Sequence, residues 1–435
     1  MVFTKDQYFK NIGFNDDPFT STNAGSELML EKYFITPPHF SSLVGSFDNP
    51  KSSIVIAPRG GGKTAQRKMI EHLANNTKEL RCIVYDRFPL EGFCDASEIK
   101  YEDHLKMIIK YLLVDLLSID NEKLIDKYSD YDKKTINLLA KTFLTDIEKG
   151  KVANAIDSIK GARGRFFDLW DKVGESVNSI INAALAIKNI GGVALKLKDT
   201  RVIKISDDEL FETIKYIGSL YKKIGTKAVY ILVDSVDETH LSGNNSKNSY
   251  DLIRPLIKDL KTLELDTIVF KFFLWDKIQN HWGAEIRRDR IEVYEMTWNK
   301  EHIIHLIQNR IKAFSDFQHN NIEELFEYKK TNLINHLIDF SNFSPRDAIN
   351  IFKFVFDRHL KYLGSNSSEL PDEKTVIAGL FDFCRCKFDE IVYDEEQKKL
   401  LKQIKKSTFT LKYLQEKVFI CSENKAIELL TKWID

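Results

Sequence analysis

The chain has no excess of charge of either sign: 64 lysines and arginines stand against 64 aspartates and glutamates in 435 residues. That balance excludes a global basic field for nucleic acid, so any such contact must come from a local patch, and it excludes a polyanionic coat. Cysteine is also scarce. Five in a long chain, an odd number with no signal-peptide pattern at the N-terminus, argue against a disulfide framework and for a reduced, cytoplasmic compartment. Cys384 and Cys386 form a lone C-x-C with no second Cys or His pair at metal-ligand spacing, which reads as structural. Long apolar runs are missing as well. The most apolar window, Ile180 to Leu197, is interrupted by Asn182, Lys188, Asn189, Gly191 and Gly192, whereas a bilayer span needs about 20 largely apolar residues. It reads as a buried or partner-facing helix, and no membrane contact is expected. Ordinary hydrophobic and charged fractions exclude wholesale disorder and leave room for two or three domains.

The informative residues are concentrated in two short motifs. From Ser53 to Ala65 the sequence SIVIAPRGGGKTA runs from a buried-strand pattern into a glycine-rich turn that opens a helix. It reads as a nucleotide triphosphate cradle formed by Pro58, Arg59, Gly60, Gly61, Gly62, Lys63, Thr64 and Ala65. In such a P-loop the backbone N–H groups of the turn face the phosphates, the lysine reaches their oxygens, and the last hydroxyl holds Mg²⁺. The glycines let the backbone curl around an anion, Lys63 supplies charge, and Thr64 supplies the metal ligand. Ala57 stands where the usual pattern has glycine; alanine is the next smallest residue at a strand end. The alternative is an ordinary glycine-rich turn.

The second motif is AVYILVDSVDE, Ala228 to Glu238, a continuous apolar run capped by acids. That is the form of a central parallel strand with carboxylates at its C-terminal edge, where open α/β sheets bind ligands. Asp234 would bind Mg²⁺ through water, and Asp237 or Glu238 would polarise the attacking water. The bland alternative is a solvated turn after a core strand.

The organisation is set by periodicity. Residues 1–50, with Asp17-Pro18 and Pro37-Pro38, read as a lead-in segment wrapped on the next domain. Residues 51–298 form an α/β core with strands at Ser53–Ala57, Arg81–Phe88, Ala228–Val233, Ile268–Trp275 and Ile291–Met296. Within it, residues 120–206 read as an inserted helical hairpin with hinge-like glycines at Gly161, Gly164, Gly191 and Gly192, and Phe166 to Ala186 as part of a packed helix pair. Residues 299–364 form a helical lid. Residues 372–435 form a terminal module of short helices, winged-helix-like, with Thr410 and Ser422 as N-caps. Its lysines, Lys398, Lys399, Lys402, Lys405, Lys406, Lys412, Lys417, Lys425 and Lys432, would suit DNA phosphates or simply solvate exposed helix faces. Lys271 is out of place in an otherwise apolar strand and needs a buried partner or an edge position. Proximity of Lys271 to the acids would make metal binding atypical.

On these two motifs, over about residues 20–360, the chain resembles the AAA+ and STAND branches of P-loop ATPases, above all the initiator-like (origin-recognition) proteins and their bacterial, defence-associated relatives. The resemblance implies a parallel sheet in 5-1-4-3-2 order, a following helical lid, and ATP with Mg²⁺ between core and lid. Asp234-x-x-Asp237-Glu238 looks like the STAND pattern, in which an acid pair follows the metal aspartate. The resemblance also implies a sensor arginine at Arg346, in the first turn of a lid helix opened by Pro345, where a guanidinium can fork onto phosphate oxygens; the alternative is a salt bridge to Asp347. Arg287, Arg288 and Arg290, just before the last core strand, hold the place of an arginine that completes a neighbour's site, or form an ordinary basic loop. Asp276 stands where a small polar sensor is usual. The resemblance leads to the expectation of an Mg²⁺-ATP switch ATPase that self-assembles as a homo-oligomer or engages a protein effector, with a role in antiviral defence by resemblance alone. The alternatives are a DNA-binding initiator or loader using the basic terminal helices, and a non-hydrolysing ATP-bound scaffold.

Overall fold

A strand covered on both faces needs apolar residues at nearly every position rather than at alternate ones. Ser53–Ala57 (β1), Leu80–Tyr85 (β2), Ala228–Val233 (β3) and Ile268–Trp275 (β4) largely meet that requirement. In the computed structural model they form one parallel sheet with the shorter and more exposed Glu292–Glu295 (β5). The strand order is β2-β3-β4-β1-β5, which read from the β5 edge is 5-1-4-3-2. The structure describes residues 4–27, 29–119, 127–144, 205–327, 331–363, 368–391, 394–405 and 409–434. β2 stops at Tyr85, short of the expected Phe88, and Asp86 and Arg87 turn out of the sheet edge.

Alternation along each strand divides the core in two. Ile54, Ile83, Ile231 and Phe270 pack with the apolar faces of the helices Tyr101–Ser118, Asp207–Lys223 and Ser246–Ile257. Val55, Tyr230, Leu232, Val269 and Phe273 face the other way, onto Ile70 of the helix Lys63–Asn75 and onto Phe40 and Leu43. The sheet therefore holds the ends of β1 and β3, and the turns that leave them, in a fixed frame.

The chain divides into two compact units, and the division differs from the expected one. The sheet unit comprises Asn23–Asn309 with Ser344–Arg346; the helical unit comprises Met1–Thr22, Arg310–Phe343 and Asp347–Asp435. The expected lead-in is thus split. Its first part joins the helical unit because its aromatics find partners there: Phe19 stacks on Phe352 and Phe356 with ring centroids 5.1 and 5.5 Å apart. Buried Arg310 also donates to the carbonyls of Pro18 and Ser21. Of the expected lid, residues 310–343 and 347–364 cluster with the terminal module, while 299–309 and 344–346 fall in the sheet unit.

Of the expected insertion, the described part includes a helix at Asp130–Leu144, anchored by Lys223 on Asp132 at 2.7 Å. Gly161, Gly164, Gly191 and Gly192, and the windows Phe166–Ala186 and Ile180–Leu197, lie outside the described residues. In the terminal module Thr410 caps its turn, accepting from Tyr413 N at 3.2 Å. Among the described residues of 394–434 there is no strand, so no wing is present there. Lys398, Lys412 and Lys425 pair with acids on neighbouring turns, which weakens the basic face expected for DNA. Among the described residues no helix is long and apolar enough to cross a membrane.

Lys271 lies on a central strand, 2 % exposed, and has the buried partner it needs. Its Nζ donates to the Lys51 carbonyl at 2.7 Å and stands 4.9 Å from the centre of the Tyr230 ring. Burial pushes its pKa down to about 8, with Glu292 opposing; the acids after β3 are not among the charges that act on it. The condition under which Lys271 would bear on those acids is therefore not met. An unfolded lysine titrates near 10.4, so between about pH 8 and 10 the unfolded chain binds the extra proton and stability rises with pH. Lys271→Met removes this buried ammonium. We expect it to be more stable than the parent by about 1–2 kcal/mol at pH 7, with the gap closing as pH rises through 8 towards 10; urea denaturation at both ends of that range measures it.

Candidate functional site

β1 runs straight into the turn Pro58–Gly62 and the helix Lys63–Asn75. The turn closes with Gly61 N donating to Pro58 O at 3.0 Å. Gly60 and Gly62 hold φ of +76° and +92°, the left-handed region where a Cβ is penalised. Gly61 has a different constraint: a Cβ there would lie 2.9 Å from Pro58 O and 3.2 Å from the Ala57 Cβ. Trp298 donates its indole N–H to Gly61 O at 2.8 Å and so pins the loop from outside.

Lys63 opens the helix and folds back, its ammonium donating to the carbonyls of Ala57 at 3.2 Å and Pro58 at 3.3 Å. Burial lowers its pKa; the carboxylates of Asp237, Asp234 and Asp276 oppose that, in this order. Asp276, at the end of β4 where a small polar residue is usual, thus acts on Lys63 through its charge, while its own Oδ1 accepts from Lys277 N at 2.9 Å. The Thr64 hydroxyl donates to Asp234 Oδ2 at 3.0 Å, joining the two sequence motifs directly.

After β3 the chain turns sharply at Ser235, which holds a left-handed φ of +59°. The two following acids part company. Asp237 is buried and bound to the glycine loop, its Oδ2 accepting from Arg59 Nε at 2.8 Å and its carbonyl from Arg59 Nη2 at 3.1 Å. The guanidinium lies 4.2 Å from the Trp275 ring centre. Glu238 is exposed and lines a cavity of about 410 Å³ on the β2 side, with Asp86, Arg87 and Phe88. Of the two candidate bases, the one on the phosphate-loop side is Asp237.

Asp234, 2 % exposed, carries an ion pair that sequence reasoning missed. Arg67 Nε donates to the same Oδ2 at 2.7 Å, and its other edge is held by Glu71. Thr64, Arg67, Lys68 and Glu71 succeed one another at helical spacing on one face, a signal that was available in the sequence. Trp298 and Trp275 carried no such signal, because only the fold brings them to the loop.

Arg346 belongs to the sheet unit and abuts the loop: a Cβ on Gly60 would lie 2.9 Å from the Arg346 Cβ and 3.1 Å from Ser344 Oγ. Asp347, the alternative partner, is bridged by Lys387 at 2.9 Å. Just before Arg346, Asn342 and Phe343 are both left-handed, at φ +48° and +55°. Arg287, Arg288 and Arg290 lie on an exposed loop, each engaged within the chain. Arg287 pairs with Asp289 at 2.7 Å, Arg290 with Glu264 at 2.5 Å, and Arg288 donates to Gln279 at 3.1 Å.

The donors suit Mg²⁺: a hydroxyl and a carboxylate are hard oxygens, and a P-loop needs few protein ligands because phosphates and waters complete the shell. No group of three or more His, Cys, Asp or Glu is placed to hold a metal ion among the described residues. The chain matches no protein-family model and no curated protein.

Gly60→Ala and Gly92→Ala separate the two demands on a left-handed glycine. Both incur the penalty of a positive φ, but a Cβ on Gly92 meets nothing within 4 Å. We expect Gly60→Ala to lower unfolding stability by about 1–2 kcal/mol more than Gly92→Ala in urea.

Proposed function

We propose that this chain is a P-loop ATPase of the AAA+/STAND kind, a switch that binds Mg²⁺-ATP, hydrolyses it, and converts nucleotide state into self-assembly or engagement of a partner. The observation that carries this is the hydrogen bond from Thr64 to Asp234, which couples a glycine-rich anion cradle to an acidic strand edge across the sheet. The loop N–H groups from Gly60 to Lys63 cradle the phosphates, flanked by Pro58, Arg59 and Ala65, and Lys63 leaves its two carbonyl partners for phosphate oxygens. Mg²⁺, when bound, neutralises charge on the β- and γ-phosphate oxygens. Thr64 and Asp234 would hold it. Asp237, on the loop side, orients the attacking water and accepts its proton once Arg59 turns towards the phosphate; Glu238 is one residue too far round the turn. Arg346 reads the γ-phosphate from the first turn of its helix.

ATP turnover per subunit, measured across protein concentration, tests this. Lys63→Ala should abolish ATP binding. Asp237→Asn should bind ATP but turn over at least about a hundredfold more slowly, whereas Glu238→Gln should stay within a few-fold of the parent. A rate per subunit that climbs with concentration would assign Arg287, Arg288 or Arg290 to a neighbour's site. Absence of ATP binding by the parent would overturn the proposal.

A further inference from the structure

We propose that this site holds nucleotide with little help from a divalent cation, because Arg67 already supplies the positive charge that a metal ion supplies elsewhere. The inference rests on the nucleotide reading of the same site. Its basis is the state of the Asp234 carboxylate. In a P-loop that aspartate is a bare negative charge beside a polyphosphate, and the metal between them offsets the repulsion. Here Oδ2 receives both the Thr64 hydroxyl at 3.0 Å and Arg67 Nε at 2.7 Å, and Oδ1 receives Ser235 N at 2.9 Å.

Three of the carboxylate's roughly four acceptor positions are taken, which leaves one for a metal-bound water and makes the carboxylate's own charge largely balanced before any cation binds. The pair is also too buried for solvent to screen it: the side chains of Arg67 and Asp234 are 8 % and 3 % exposed. Glu71, itself paired with Lys68 at 3.1 Å, holds the guanidinium in place from the far side. The second acid is treated alike, Asp237 being matched by Arg59 at 2.8 Å. Asp234 therefore stays compensated by Arg67 of the loop's own helix even when Arg59 leaves Asp237 for the phosphate. A triphosphate entering the cradle meets Lys63 and the loop N–H groups without the repulsion that usually makes the cation indispensable. Arg67 is a positioning residue here; it touches Asp234, not the phosphates.

The test is equilibrium binding of a hydrolysis-resistant ATP analogue to the full chain, in excess MgCl₂ and in excess EDTA. The expected result is a Kd in EDTA within about tenfold of that in Mg²⁺. Arg67→Gln should widen that ratio to about a hundredfold or more, and Arg67→Lys should keep it small. The ratio is internal to each protein, so a general weakening of the fold cancels. Should Arg67→Gln fail to fold, the ratio of the parent still decides. Binding in Mg²⁺ that is lost in EDTA would overturn the inference and leave the nucleotide reading standing. Absence of binding under both conditions, with the fold intact by circular dichroism, would remove the nucleotide reading and this inference together.

Discussion

The carboxylate of Asp234 is the point on which the site turns. It is charged, almost fully buried, and placed where the central strand ends. A lone buried carboxylate is prohibitively unfavourable, so its partners are obligatory. Thr64 and Arg67, one turn apart on the helix after the glycine loop, provide them. The same contacts that make the charge tolerable also lock the phosphate-loop helix to β3 across the intervening strand β4. Removing one partner exposes the others to the full electrostatic penalty, which ties local chemistry to the integrity of the sheet edge.

Around that anchor the loop is shaped by close approach more than by flexibility. Gly60 yields to Arg346, Gly61 to Pro58 and Ala57, and Trp298 holds Gly61 from the open side. Strain marks two turns: Ser235 is left-handed where the acids diverge, and Asn342 and Phe343 are left-handed just before Arg346. Left-handed residues other than glycine carry an energetic penalty that the surrounding structure must sustain.

Much of this was legible in the sequence. β1 to β4 show as apolar runs because a doubly covered parallel sheet leaves little polar alternation to obscure them, and the glycine loop that opens a helix shows in glycines, lysine and threonine at close spacing. Lys271 was recognisable as an anomaly, but its remedy, the Lys51 carbonyl, lies on a chain segment 220 residues away. The domain limits were less legible. Phe9 and Phe19 look like any lead-in aromatics until Phe352 and Phe356 are beside them.

By itself the sequence determined which residue types meet at the sheet edge, since local spacing dictates that Lys63 and Thr64 begin a helix and that Asp234 ends a strand. The tertiary structure alone decided how their charges are balanced. Which of Asp237 and Glu238 faces the loop depends on one backbone dihedral at Ser235, and which acid Arg59 and Arg67 neutralise depends on strand order. Neither leaves a trace in residue spacing, because an ion pair between residues 178 or 167 positions apart is a property of three-dimensional proximity.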